Sequence, residues 1–158
     1  MSSKVQYDPA YTAKSEVRSA GRAVRPQDAA TLILVRRDAP EPKILVGKRF
    51  TGHAFMPNKF VFPGGKVDPA DSRLRPPSGL HPHVLARLMR GCSESRARAL
   101  AMAAIRETFE ETGLIVGETN ASLLKTRSLQ WRDFLQHNIN PRLDTLHYIA
   151  RAITPPYR

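Results

Sequence analysis

One cysteine, Cys92, is all that the 158 residues contain, so no intramolecular disulfide can form and a reducing cytoplasm is the expected compartment. Long apolar runs are also missing. The longest, around residues 99–105, falls far short of the roughly 20 residues that cross a bilayer. The opening stretch MSSKVQYDPAYTAKSEVRSAGRAVRP has charges but no apolar centre, which is not the pattern of a secretory signal. Asp8 and Glu16 weigh against an organellar transit peptide. No internal repeat is visible. Acidic residues are scarce: 14 Asp and Glu stand against 25 Lys and Arg, a net charge of +11. A field of that sign attracts phosphates on small molecules, nucleic acid or a membrane surface without choosing among them.

What remains is ordinary for one globular domain. Hydrophobic residues make up 41% of the chain, enough for a proper core. Residues 1–25 show no sustained periodicity and read as a flexible arm; residues 26–158 read as the domain. AATLILVRR, starting at Ala29, reads as a buried strand, and ILVGKR (44–49) as a second strand joined to it in a hairpin by the turn DAPEPK. KFVFPGG (59–65) reads as a short strand ended by Pro63 and two glycines. Between residues 72 and 92 three prolines leave room for a short helix only around 82–90. A longer helix is expected near 95–112, capped by Ser93 or Ser95 and stopped by Gly113. An extended piece at 114–116 follows. A helix near 128–138 then places Leu129, Phe134 and Leu135 in a partly apolar pattern. LHYIARAIT (146–154) reads as a strand closed by Pro155 and Pro156.

Against this basic background, RETFEETGL (106–114) concentrates three glutamates on the last turns of the long helix. At about 100° per residue Glu107, Glu110 and Glu111 share one arc, while Met102, Ile105 and Phe109 face the other way, toward the core. Like charges at these spacings repel, and the helix dipole disfavours anions at a C-terminus. Two readings explain the cluster: a solvated acidic face, or a site for a divalent cation that turns the repulsion into attraction. Arg106 could orient Glu107 in the second case.

Upstream, FVFPGGKVDPAD places Gly65, then five residues, then Asp71. Together with RETFEETGL this resembles the Nudix hydrolase signature G-x5-E-x7-R-E-U-x-E-E-x-G-U, in which U is a bulky aliphatic residue. Gly65, Arg106, Glu107, Glu110, Glu111, Gly113 and Leu114 match. Asp71 stands in place of the first glutamate, and Thr108 in place of an aliphatic residue. Asp71 and Arg106 are separated by 34 residues instead of seven, so 27 are extra. In this the chain is similar to the Nudix subset with an insertion inside the signature, such as the coenzyme A diphosphatases of the Nudix-19 type. The Pro-rich stretch is then expected as a surface excursion, placed over the mouth of the site or simply tolerated as a loop.

The resemblance implies an α/β/α sandwich with a mixed sheet. It implies cleavage of a diphosphate linkage in a nucleoside-diphosphate-type substrate, with Mg2+ or Mn2+ held by Glu107, Glu110 and Glu111. Arg106 would act beside them, one glutamate would serve as general base, and Gly64 and Gly65 would shape the loop against the substrate. LVGKR (45–49) agrees in part with a longer pattern of coenzyme A-cleaving relatives. Ala54 and Asn58 depart from it. Arg49, with Lys48 and Lys59, is a candidate for substrate phosphates. A phosphorylated small molecule is thus favoured over nucleic acid as partner, and no membrane partner is expected. The alternative is a non-catalytic module that binds nucleotide or RNA. His81, His83, Cys92 and Trp131 read as structural residues. The chain is short for this fold once the arm and the insertion are set aside, so a C-terminally incomplete sheet is expected, with an edge that invites a homodimer.

Overall fold

The structure, a computed structural model, describes residues 26–50, 58–119 and 122–153. The expected arm, Ala54, Pro155 and Pro156 lie outside the described residues. The chain divides into two units, and the one from Gln27 to Ala152 contains every element discussed below.

The central element is α3 (Glu94–Thr112), and its ends follow from local chemistry. Ser93 accepts the Arg96 N–H at the N-terminus, and Glu94 sits favourably in the first turn. At the other end Gly113 takes a left-handed φ of 72° and returns its N–H to the Phe109 carbonyl. The buried alanines of α3 lie on two opposite sides, Ala97, Ala101 and Ala104 on one and Ala99 and Ala103 on the other, and their small side chains let neighbours approach closely on both. Around it pack α1 (Pro69–Arg73), α2 (Pro82–Leu88), α4 (Leu129–Leu135) and the strands β1 (Ala29–Thr31) and β6 (Gly64–Lys66).

The remaining strands are β2 (Val35–Arg36), β3 (Lys43–Ile44), β4 (Gly47–Lys48), β5 (Phe60–Val61), β7 (Gly117–Thr119) and β8 (Ile139–Pro141). The described ladders are four antiparallel pairs: β1 with β6, β2 with β3, β4 with β5, and β7 with β8. The hairpin across DAPEPK is present, with Val35 opposite Ile44 and Arg36 opposite Lys43. AATLILVRR is not one buried strand. Its first half pairs with β6 and its second with β3, and the change of partner breaks the ladder after Thr31. Ile33 and Val35 remain 37% and 43% exposed, so this segment is not sealed in the core. Pro63 does end β5, but the two glycines after it form β6, with Thr31 opposite Gly64 and Ala30 opposite Gly65.

The core gathers Leu74, Met102, Ile105, Trp131, Phe134 and Leu143. Trp131 and Phe134 meet edge to face, their centroids 5.3 Å apart, and Phe109 packs on Phe134 in the same way. In α4 the buried side chains are Trp131, Phe134 and Leu135, whereas Leu129, at the first position of the helix, is exposed.

The stretch 72–92 lies mostly at the surface and is fastened to the core at a few points. Leu74 and Val84 are buried, Leu80 packs on the core cluster, and Ser78 Oγ accepts the Leu143 N–H at 2.9 Å. His81 caps α2 by accepting the His83 N–H, a structural role. LHYIARAIT forms no strand among the described residues, and Ile149 is 70% exposed. Its alternating pattern suits a strand, but no described neighbour supplies the hydrogen bonds that would make one. No helix among the described residues is long and apolar enough to cross a membrane.

Candidate active site

α1 and α3 bring the two halves of the split signature together. Asp68 caps α1 by accepting the Ala70 N–H, and Asp71 reaches back to accept the Asp68 N–H, a reciprocal capping box with Pro69 at the first helical position. This turns the Asp71 side chain inward, where it has no exposed surface. Its carboxylate then accepts four N–H donors. Oδ1 takes Arg106 Nε at 3.0 Å and Trp131 Nε1 at 2.9 Å; Oδ2 takes Arg106 Nη2 at 3.0 Å and the Asp68 N–H at 2.8 Å.

Arg106 is the hub. Besides the bidentate pair with Asp71, Nη2 donates to the Lys66 carbonyl of β6 at 2.8 Å. Nη1 donates to Glu107 Oε1 at 2.9 Å and to Glu110 Oε2 at 3.0 Å. All five guanidinium N–H groups therefore have partners. Burial lowers the Arg106 pKa, but the hydrogen bonds and charge of Asp71, with those of Glu107 and Glu110, outweigh it and leave the pKa raised. The last turn of α3 has no basic residue of its own. Arg106, one turn back, supplies the missing positive charge.

Glu111 is held differently, its Oε2 accepting the Gly64 N–H at 3.1 Å. Glu107 lies directly over Gly65, where a Cβ would occupy the space of its carboxylate. At Gly64, φ is 155° and a Cβ would meet the Ala30 carbonyl and the Thr31 backbone. The two glycines thus do not form a loop. They form a strand whose bare surface allows α3 and β1 to close on it. Thr108 is buried, and its hydroxyl is satisfied by the Ala104 carbonyl at 2.7 Å, which is how a polar residue fits the aliphatic position.

Arg106, Glu107, Glu110, Glu111, Gly64 and Gly65 are therefore assembled in one place. Arg49 is not part of these hydrogen bonds. It follows β4, and its backbone N–H donates to the Lys59 carbonyl. An open cavity of about 440 Å3 lies at Gln27, Asp28, Lys66 and Asp68, and none of the three glutamates lines it.

Carboxylate oxygens are the donors that Mg2+ and Mn2+ take, so the chemistry of the set fits a hard divalent ion. The described side chains rest on protein donors, one oxygen of each glutamate being so engaged. Among the described residues no three His, Cys, Asp or Glu side chains close on a common point. Gathering Glu107, Glu110 and Glu111 on one ion requires rotation of their side-chain torsions; Glu110 and Glu111 are exposed, and Glu107 is partly buried.

Two contributors escape a reading of the residues alone: the Lys66 carbonyl and Trp131. The second leaves a signal, because a buried indole N–H needs an acceptor.

The helix that ends in these carboxylates is tied through a buried arginine to a second acid and closes on a glycine strand. Residues 25–153 match the NUDIX domain family, and the chain belongs to it. The Caenorhabditis elegans protein described as "Putative nudix hydrolase 7" is 33% identical over 89 residues, covering 56% of this chain and 22% of that protein. A NUDIX hydrolase from Alicyclobacillus acidocaldarius, known from its crystal structure, superposes with a TM-score of 0.58 at 25% identity, covering 84% of this chain and 65% of its own. The fold is thus the α/β fold of Nudix hydrolases. Proteins of this family act on phosphorylated small molecules and generally need divalent metal ions. The chain spans about a fifth of the curated relative's length and under two thirds of the solved neighbour's.

Proposed function

We propose that this chain is a metal-dependent diphosphohydrolase that cleaves a diphosphate linkage in a nucleoside-diphosphate-type substrate, with coenzyme A-like compounds among the candidates. Glu107, Glu110 and Glu111 hold Mg2+ or Mn2+. When bound, the ion supplies neutralisation of the diphosphate and activation of water. Arg106 keeps two of the three acids in register, and Gly64 and Gly65 give α3 its close seat on the strand. Arg49 and the net charge of +11 draw the polyphosphate toward the acids.

The observation that carries this reading is Arg106 Nη1 shared by Glu107 and Glu110. A merely solvated acidic face does not need a buried arginine with every donor engaged. The reading is tested by incubating the protein with Mg2+ or Mn2+ and coenzyme A, ADP-ribose, NADH or dinucleoside polyphosphates, and following the phosphorylated products. Hydrolysis that disappears with chelator and in Glu110→Gln and Glu111→Gln is the expected result. Hydrolysis unaffected by those substitutions overturns the assignment. Nucleotide or RNA binding without turnover supports the non-catalytic module.

A further inference from the structure

Trp131 is the single tryptophan of the chain and has no exposed surface. Its indole N–H donates to Asp71 Oδ1, the same oxygen that accepts Arg106 Nε. From Arg106 the next links are Glu107 and Glu110. Five side-chain groups on three helices are therefore linked: the indole of α4, the carboxylate of α1, the guanidinium of α3 and the two acids of α3 that branch from it.

We propose that Trp131 is a positioning residue for the acid cluster. The indole N–H on Oδ1 and the Asp68 N–H on Oδ2 hold both oxygens of Asp71, which restrains the plane of the carboxylate. A bidentate arginine must lie in that plane. The orientation of Asp71 thus sets where Nη1 meets Glu107 and Glu110. The ring itself cannot swing, because it stands edge to face with Phe134 in a cluster that includes Leu74 and Leu80. Those two leucines come from the stretch between the halves of the signature. The insertion accordingly acts as a brace behind the acids, transmitted through the tryptophan.

This role rests on the metal-site reading given above, and the experiment separates the two. With one tryptophan in the chain, biosynthetic replacement by benzothienylalanine exchanges a single N–H for sulfur and keeps the shape of the ring. Mn2+ affinity, followed by electron paramagnetic resonance, is expected to weaken about 10-fold or more, the usual effect of losing an outer hydrogen bond to a metal site. kcat falls with it, while KM for the diphosphate substrate changes less. Trp131→Phe moves the same way. In the unmodified protein the single indole proton–nitrogen cross-peak shifts as Mg2+ is added, a readout that does not depend on either replacement folding. Unchanged Mn2+ affinity in the folded isosteric protein overturns the positioning role alone, as does an indole cross-peak unmoved by saturating Mg2+ in a protein that binds the ion. An unmodified protein that binds no Mn2+ overturns the metal-site reading and this role with it.

Discussion

Arg106 and Asp71 form a buried bidentate pair, Nε on Oδ1 and Nη2 on Oδ2, both at 3.0 Å, although they lie 35 positions apart. Removing one partner leaves the other charge without compensation. Arg106→Met is expected to cost about 3–5 kcal/mol of stability, read by urea denaturation. The double variant Arg106→Met, Asp71→Leu should recover a good part of that loss. The arginine's raised pKa means its contribution is complete below the unfolded arginine pKa and is lost only as pH rises through the still higher folded value. From the arginine side the pair is therefore flat across the neutral range.

Asp71→Glu restores the residue of the usual signature, yet it is expected to destabilise this chain. The carboxylate already holds four donors with no exposed surface, and one more methylene drives it into Trp131 or Arg106. Overpacking of this kind costs about 1–3 kcal/mol. A thermal melt of the variant that equals or exceeds the parent contradicts the geometry.

Gly65→Ala places a methyl group where the Glu107 carboxylate lies. The expected result is a loss of Mn2+ affinity and hydrolysis out of proportion to any loss of stability, since the displaced group is a side chain rather than backbone. Gly79→Ala is the control. No atom lies within 4 Å of its added Cβ, and neither binding nor melting should change by much.

Asp28 and Arg96 tie the start of β1 to the start of α3 through a bidentate contact. The Arg96 hydrogen bond lowers the Asp28 pKa; burial opposes it, and the charges of Arg96 and Arg151 assist. A lowered folded pKa gives stability that is present above the ordinary carboxylate value of 3.8 and lost as pH falls through the lower one. Asp28→Asn should remove that part of the acid limb and lower the melting temperature near neutral pH by a correspondingly small amount, because the pair is solvent-exposed and screened. A melting profile whose acid limb is identical in the two proteins refutes this.

Particular elements show what was legible. Ser93 and Gly113 bound α3 within one residue of expectation, because capping depends on groups only a few positions apart. The turn DAPEPK delivers its hairpin for the same reason. AATLILVRR and LHYIARAIT have the pattern of strands without being the single strands it suggests, because a strand consists of its partner's hydrogen bonds and the residues themselves do not name the partner. Trp131 reads as core from its type, and so it is, but its acceptor lies 60 positions away.

Family membership, the long acid-tipped helix and the residues on its polar arc are legible from spacing and local chemistry alone. The fold was needed to show that Leu74, Ser78 and Leu80 reach the core from the stretch between Asp71 and Arg106, and that the paired glycines are strand. It alone decided that Asp71 serves Arg106 and Trp131 from the interior. Each of these depends on contacts between segments distant in the chain, where burial and hydrogen-bond satisfaction select the partner and no local rule does.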